Sequence, residues 1–298
     1  MALNTVTATI NGQSCTLTLD PSTGKWVGTI TAPSTTSWKM DGHYYPVTLK
    51  ATDKAGNSKS VGATDATLGK NLQLRVKEVT APTITVTAPT ASQLLTNNKP
   101  EIKFTVVDDG SGVDPSTIKL QIDSLTAVTG DAITKKAITN GYECAYTPAT
   151  VLADGSHTLK INASDYDGNA ATQKQVTFKV DTVPPTLSVA SPAAGLITNN
   201  KTVTVSGTTD DVTSKPVTIT VNGKSVTVGS DGKFSTTVEL TEGDNTITVI
   251  AKDAAGKTTT VTRKVTLDTV APVFVSATLS ENPTTVGKTL TITVEVTD

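Results

Sequence analysis

Three short stretches of this chain repeat one turn, and that repeat constrains the fold more than any other feature. They cover 51–57, 163–169 and 251–257, and in each an Asp is followed three residues later by a Gly. An Asp that opens a type I turn accepts hydrogen bonds from the N–H groups ahead of it, and the Gly adopts the left-handed conformation that returns the chain. Each stretch is therefore predicted to be the turn of a β-hairpin. The residues assigned to these structural turns are Asp53, Gly56, Asp165, Gly168, Asp253 and Gly256.

Apolar and polar residues alternate on the strands that flank each turn. Leu159, Ile161 and Ala163 precede the second turn in this way. A period of two residues is typical of a strand with one buried face. The unit recurs every 90–100 residues or so, which indicates a tandem repeat of all-β domains.

Proline-bearing segments at Pro82, Pro185 and Pro272 separate the repeats, because proline ends a strand ladder. The predicted domains are 1–79, which lacks the first two strands, A and B; 80–181 and 182–269, which are complete; and 270–298, which holds strands A and B alone. Since the two end segments complement each other, self-association through the terminal strands is predicted.

The third domain gives the clearest strand pattern, and no amphipathic helix is evident anywhere. Its predicted strands are A at 186–190, B at 202–208, C at 217–222, D at 224–228, E at 233–240, F at 245–251 and G at 257–267. Seven short strands at this spacing are typical of an immunoglobulin-like sandwich. The predicted fold class is all-β, with tandem immunoglobulin-like β-sandwiches in an extended array. Residues 61–70 are predicted to form an inserted surface loop of the first domain.

Composition limits what the chain can bind. Its apolar content is 36%, its aromatic content 4% and its net charge −2. The low apolar content suits several thin cores, and the charge provides no basic surface for nucleic acid or anionic lipid. No apolar run is long enough to cross a membrane, and no signal peptide is visible at the first residues. The two cysteines, Cys15 and Cys144, fall in different domains in phase with apolar neighbours, which predicts buried free thiols.

No constellation of catalytic residues is found within one predicted domain. The only histidines, His43 and His157, lie in different domains. A Ser-His-Asp or Cys-His arrangement would therefore require two domains to meet. His157 begins a strand, where a structural hydrogen bond is expected. The chain is therefore predicted not to be an enzyme and to use no cofactor.

Metal binding is the sharpest alternative to this view. Residues 165–169 and 108–114 both gather oxygen ligands of the kind that calcium prefers. Capping of the turn explains the Asp of all three copies, whereas calcium explains only the second domain. The prediction is therefore no metal site, with calcium as the alternative.

Aromatic residues mark one candidate surface. Trp38, His43 and Tyr44 lie together before a strand and have no counterpart in the third domain, whereas Trp26 aligns with Phe234 and is assigned to the core. The three residues are interpreted either as a patch that binds a glycan or a protein partner, or as local packing of an irregular loop.

The Ala-x-Asp-x-x-Gly-Asn hairpins, the Val-x-Pro-Pro and Val-Ala-Pro linkers and the Asp-Gly-x-His turn at 154–157 resemble those of tandem bacterial immunoglobulin-like domains. Such domains occur in bacterial surface proteins and in structural proteins of tailed bacteriophages and prophages. The resemblance implies a non-enzymatic structural or adhesion role.

Because no leader or anchor is visible, the resemblance favours a phage virion protein of a tail or other appendage. Its localisation would be the virion, after synthesis in the host cytoplasm. Its partners would be other virion structural proteins and a bacterial surface glycan. The alternatives are a rigid stalk or adhesion segment of a bacterial surface protein, located at the cell surface, and an accessory carbohydrate-binding array of a secreted glycosidase.

Overall fold

The computed structural model describes residues 3–298, which consist of strands joined by turns and short 3₁₀ segments. These residues form two compact units, one ending at Val180 and the other beginning at Asp181. We refer to residues 3–74 as the first domain, 83–180 as the second, 186–267 as the third and 273–297 as the C-terminal hairpin.

The first domain is one sheet. Its strands are β1 (Leu3–Ile10), β2 (Gln13–Asp20), β3 (Lys25–Val27), β4 (Tyr45–Asp53), β5 (Ser58–Val61) and β6 (Gln73–Leu74). They are ordered β3-β2-β1-β4-β5, with β6 paired to the start of β4. The segment 61–70 forms turns that lead through a 3₁₀ segment, Gly69–Leu72, into β6.

The inner face of this sheet is incompletely covered. Ala8 and Ile10 on β1 are buried, but Leu19 on β2 is 52% exposed. No second sheet packs on this face within residues 3–74, and 28–31 are not assigned to any strand. The first domain therefore has only half of a sandwich among its described residues.

The second domain is a complete two-sheet sandwich. Its strands are β7 (Thr83–Ala88), β8 (Leu94–Leu95), β9 (Ile102–Val107), β10 (Val113–Ile122), β11 (Thr134–Ile138), β12 (Gly141–Tyr146), β13 (Gly155–Asp165) and β14 (Lys174–Val180). One sheet is ordered β11-β12-β9-β7 and the other β10-β13-β14-β8. The core between them contains Phe104, Ile118, Leu159 and Phe178, all without measurable exposure. This arrangement is the D-E-B-A and C-F-G-A′ order of an immunoglobulin-like domain.

The third domain repeats this plan with one strand moved. Its strands are β15 (Thr186–Ser191), β16 (Leu196–Thr198), β17 (Thr202–Asp210), β18 (Thr218–Val221), β19 (Lys224–Val226), β20 (Lys233–Glu239), β21 (Gly243–Lys252) and β22 (Thr258–Leu267). The sheets are ordered β15-β17-β20 and β16-β22-β21-β18-β19. Val205, Ile219 and Val249 lie in the core between them.

The hairpin that Asn222 and Gly223 indicate between the strands predicted at 217–222 and 224–228 is present, because β19 pairs with β18, while Val228 just beyond β19 bridges Phe234 of β20. The two-residue turn at Asn222 and Gly223, with φ values of +46° and +79°, folds β19 directly back onto β18. The short strands β8 and β16, which pair in parallel with β14 and β22, were not predicted. Two or three residues are too few to show an alternating pattern.

The C-terminal hairpin consists of β23 (Val273–Leu279) and β24 (Ile292–Thr297), paired antiparallel. Every residue of both strands is exposed, and Phe274 is 72% exposed. A hairpin with this much bare apolar surface has no core of its own.

The prediction of an all-β chain with tandem immunoglobulin-like sandwiches is confirmed by the topologies of the second and third domains. Among residues 3–298, no helix is long and apolar enough to cross a membrane.

Candidate functional site

The aromatic candidates lie at the junction of the first and second domains. Trp38 stacks on His43 with ring centroids 4.1 Å apart, and on Tyr166 of the second domain at 4.5 Å. Each pair is nearly parallel, with 12° between the ring planes. Tyr44 is half-buried beside Gly42 and stacks with neither ring. The stacking surface of Trp38 is thus occupied within the chain, which favours the packing interpretation over a free sugar platform for this residue.

Asp167 ties the two domains together at the same place. Its carboxylate oxygen Oδ2 accepts hydrogen bonds from the Thr36 hydroxyl at 2.5 Å and from the Glu78 backbone N–H at 3.1 Å. Its backbone carbonyl accepts one from the Lys77 ammonium group at 3.0 Å. Asn169 adds a hydrogen bond from its side-chain amide to the carbonyl of Glu78, at 3.2 Å. Together with the stacked rings, these bonds join the first domain, the linker and the second-domain hairpin.

The three repeated turns share one geometry. Gly56, Gly168 and Gly256 have φ values of +90°, +93° and +88°, and each donates its N–H to the carbonyl of the turn Asp. The Oδ1 atom of each Asp accepts the N–H four residues later, at 2.9 Å from Asp53, 2.7 Å from Asp165 and 2.8 Å from Asp253. The turn Asp therefore caps its own hairpin in every copy.

Two of these turn residues, Asp165 and Asp253, each belong to a carboxylate cluster. Asp165 lies with Glu78 and Asp108, and Asp253 lies with Asp181 and Asp211, so that one oxygen from each member is within 4.8 Å of the others. In both clusters the first acid lies in the linker, the second follows the B strand and the third opens the F–G hairpin. Each cluster therefore lies where the linker enters a sandwich.

In the cluster of the second domain, burial and neighbouring carboxylates affect the pKa of Asp108. Burial, together with the nearby Glu78 and Asp165 carboxylates, raises the pKa of Asp108 above its ordinary value, although a hydrogen bond from the Gly112 N–H opposes the shift. A carboxyl beside two others loses its proton less readily because like charges repel. The calcium alternative had grouped residues 165–169 with one another and 108–114 separately; the structure brings Asp165 and Asp108 together and adds Glu78.

A cleft of about 420 Å³ lies beside the junction. It is lined by Ser34, Thr35, Thr36, Lys39, Lys77, Glu78, Val79, Thr80, Asp109 and Gly110. None of these residues is aromatic, and the candidate patch residues Trp38, His43 and Tyr44 do not line it. The cleft and the aromatic group are therefore separate features.

The other reactive side chains have structural partners. His157 is buried, with Nδ1 2.7 Å from the Asp123 carboxylate and Nε2 2.7 Å from the Ala153 carbonyl. Cys144 is fully buried, and burial raises its pKa to about 11, so its thiol stays protonated at neutral pH. Cys15 is a free thiol on the sheet of the first domain, where it is half-buried.

Sequence reasoning missed Tyr166 and the linker acids, and considered Asp167 only as part of the calcium alternative. Tyr166 and Asp167 fill the variable positions of the repeated turn, where the other copies have Lys54 and Ala55, or Ala254 and Ala255. That departure from the repeat was the available signal. The sequence also contained a signal for the linker acids. Glu78, Asp181 and Asp268 each lie four residues before the last proline of their own linker.

Comparisons with known proteins agree with this architecture. Residues 76–182 match the family model described as "Bacterial Ig-like domain", and residues 185–269 match the one described as "Glucodextranase, domain B". A 110-residue stretch, 37% of the chain, is 38% identical to Bacillopeptidase F of Bacillus subtilis. A 214-residue stretch, 67% of the chain, is 26% identical to Chitinase ChiA of Flavobacterium johnsoniae.

The chain spans 8% and 13% of the lengths of these two relatives. Among solved structures, titin domains I67–I69 align with a TM-score of 0.46 at 13% identity, over 88% of this chain and 87% of that one. Immunoglobulin-like modules of this kind are typically non-catalytic. The topology and the family matches together show that this chain is a tandem array of immunoglobulin-like domains.

Proposed function

We propose that this chain is a non-catalytic structural segment of a larger extracellular bacterial protein, in which it holds neighbouring parts at a fixed spacing. The observation that carries the proposal is the junction of the first two domains. A flexible tether needs no specific contacts between its modules, whereas a rigid spacer requires them. The Trp38–Tyr166 stack and the hydrogen bonds to Asp167 provide such contacts.

Support for membership of a larger bacterial protein comes from the relatives. Both are far longer than this chain, and their names describe a peptidase and a chitinase. A match to a small part of each fits an accessory module more readily than the catalytic part. The phage virion assignment remains a prediction from the resemblance.

Fractionation of the producing organism tests the proposal. An antibody raised against the 298-residue chain should detect a band larger than 30.7 kDa in the culture medium or the cell-wall fraction. The same antibody is applied to phage particles that are induced from this organism and purified on a density gradient. Reactivity that co-purifies with the particles, and is missing from medium and wall, would overturn the proposal in favour of the virion. Turnover of peptide or chitin by the purified chain would overturn its non-catalytic part.

We further propose that the 298-residue chain, taken by itself, self-associates head to tail, with the C-terminal hairpin of one copy covering the first domain of another. The first domain has an incompletely covered apolar face, and the hairpin has exposed apolar residues on both strands. In the third domain, β15 and β17 cover the equivalent sheet, and their pairing is broken by a bulge at Val189. The hairpin repeats that pairing with a bulge after Phe274. In this arrangement, β24 would pair with 28–31, just as β17 pairs with β20.

Light scattering on the intact chain and on a chain without residues 270–298 tests the association. The intact chain should gain mass with concentration, and the shortened one should not. Val294→Asp places a charge on the apolar face of β24 and should abolish the gain, whereas Thr293→Asp on the opposite face should retain it. A monomer at every concentration, or an assembly that survives the deletion, contradicts the proposal and leaves the open face to another segment.

A further inference from the structure

The acidic cluster of the third domain contains a buried oxygen that no protein group satisfies. Asp181, Asp211 and Asp253 are 1%, 6% and 5% exposed. The Oδ2 atom of Asp253 is buried and has no hydrogen-bond partner among residues 3–298. A buried carboxylate oxygen without a partner is costly, so a native structure that keeps one calls for an explanation.

Comparison with the second domain shows how the oxygen became free. Asp165, the equivalent residue, has its Oδ2 satisfied at 2.7 Å by the side-chain amide of Asn169. The third domain has Lys257 at that position, and its backbone N–H bonds only the other oxygen of Asp253. Replacing the amide by lysine thus leaves the buried Oδ2 of Asp253 unsatisfied, among the other two acids of the cluster.

Backbone and hydroxyl donors bind oxygens of the other two acids. Asp211 Oδ1 accepts the N–H groups of Thr213 and Ser214 at 2.8 and 2.7 Å. Asp181 accepts the N–H of Val183 at 3.2 Å and the hydroxyl of Ser214. These hydrogen bonds hold the two side chains in fixed positions around the unsatisfied Oδ2 atom of Asp253.

The described part of the chain offers these three carboxylates no basic partner. None of the ion pairs found among residues 3–298 involves the three carboxylates. Several buried charges of one sign, without a partner, are stable only if they take up protons or bind a cation.

We propose that Asp181, Asp211 and Asp253 bind a calcium ion. Calcium takes six to eight oxygen ligands and accepts carboxylates with one or both oxygens. Magnesium usually keeps several waters and binds one or two carboxylates, and zinc prefers nitrogen and sulfur, which this cluster lacks. Because the three ligands come from the linker, the B–C loop and the F–G hairpin, the ion would fasten the linker to the third domain.

Calorimetric titration of the chelator-treated 298-residue chain with calcium chloride tests the site. Binding should be tighter than millimolar, and Asp253→Asn should weaken it by about tenfold or more, since ligand charge sets calcium affinity. Asn retains the oxygen that caps the turn, so the hairpin should still form. Asp211→Asn is the second variant, and circular dichroism checks the fold of both. Asp244→Asn, at an exposed site of the same domain, is the control and should bind as the unaltered chain does.

A second readout separates binding from folding. Calcium should raise the unfolding temperature of the unaltered chain and of Asp244→Asn, but raise that of Asp253→Asn much less. The proposal is overturned if calcium binds no tighter than millimolar. It is equally overturned if folded Asp253→Asn and Asp211→Asn bind like the unaltered chain, because the ion would then lie elsewhere, for instance at Asp165.

Discussion

Replacing Tyr166 by Ala should lower the stability of the first domain, although Tyr166 belongs to the second. Tyr166 is 38% exposed, so about three-fifths of its surface is covered. A buried aromatic side chain covers roughly 150–250 Å². At about 25 cal/mol per Å², the truncation costs about 2–4 kcal/mol, and loss of the stack with Trp38 costs about 0.5–1.5 kcal/mol more. Only the part that faces Trp38 couples to the first domain, so we expect that domain to lose about 1–2 kcal/mol.

Urea unfolding followed by tryptophan fluorescence measures this loss selectively, because both tryptophans, Trp26 and Trp38, lie in the first domain. With a urea dependence of roughly 1–3 kcal/mol per M, the midpoint should fall by about 0.3–2 M. Tyr166→Phe keeps the ring and should leave the midpoint unchanged. Tyr146→Ala removes a ring that packs on the second-domain core, and controls for general loosening of that domain. If Tyr166→Ala leaves the fluorescence midpoint where it is, the stack does not couple the domains and the reasoning fails.

Three further outcomes follow from the turns and the thiols. Gly256→Val should destabilise the third domain by about 1–3 kcal/mol in thermal unfolding followed by circular dichroism, because a β-branched residue resists the φ of +88°. Ala254→Val in the same turn is the control, and equal losses in the two variants would refute the backbone explanation. Hydrogen bonds from the hydroxyls and N–H groups of the following turn lower the pKa of Asp20 from 3.8 to about 2. Because the folded pKa lies below the unfolded one, this stabilisation is present above about pH 4 and is lost as the pH falls towards 2. The urea midpoint of the first domain should fall over that range, and less steeply for Asp20→Asn. A thiol reagent at pH 8 should label Cys15 well before Cys144, whose buried thiol has a pKa of about 11; simultaneous labelling would contradict the packing of the second domain.

The sequence was most informative where structure depends on local residues. The turn at Asp165 and Gly168 needs only a capping carboxylate and a residue that tolerates positive φ, and both are visible in the sequence. The strand pairs follow from alternating residues, since one face must be buried. The short strands β8 and β16 were missed because two or three residues are too few to show an alternating pattern.

The candidate sites depended on long-range contacts, which explains why so little of them was predicted. Trp38 and Tyr166 are far apart in sequence, and their stack requires both domains to be folded. The acid cluster gathers Asp181, Asp211 and Asp253 from three separate segments. In the sequence, the only signal for this cluster was the position of each acid in the repeat. Taken by itself, the segment at Asp253 is indistinguishable from an ordinary capped turn.

The central claim is that the first two domains form one rigid body, and residual dipolar couplings of the backbone amides measure this directly. The couplings would be recorded on the full 298-residue chain in a dilute aligned medium. Couplings from β1, β2 and β4 and those from β9, β12 and β13 should fit one alignment tensor of the same magnitude and orientation. Tyr166→Ala should give two tensors of different magnitude. Two different tensors in the unaltered chain would show that the domains move independently and would contradict the account.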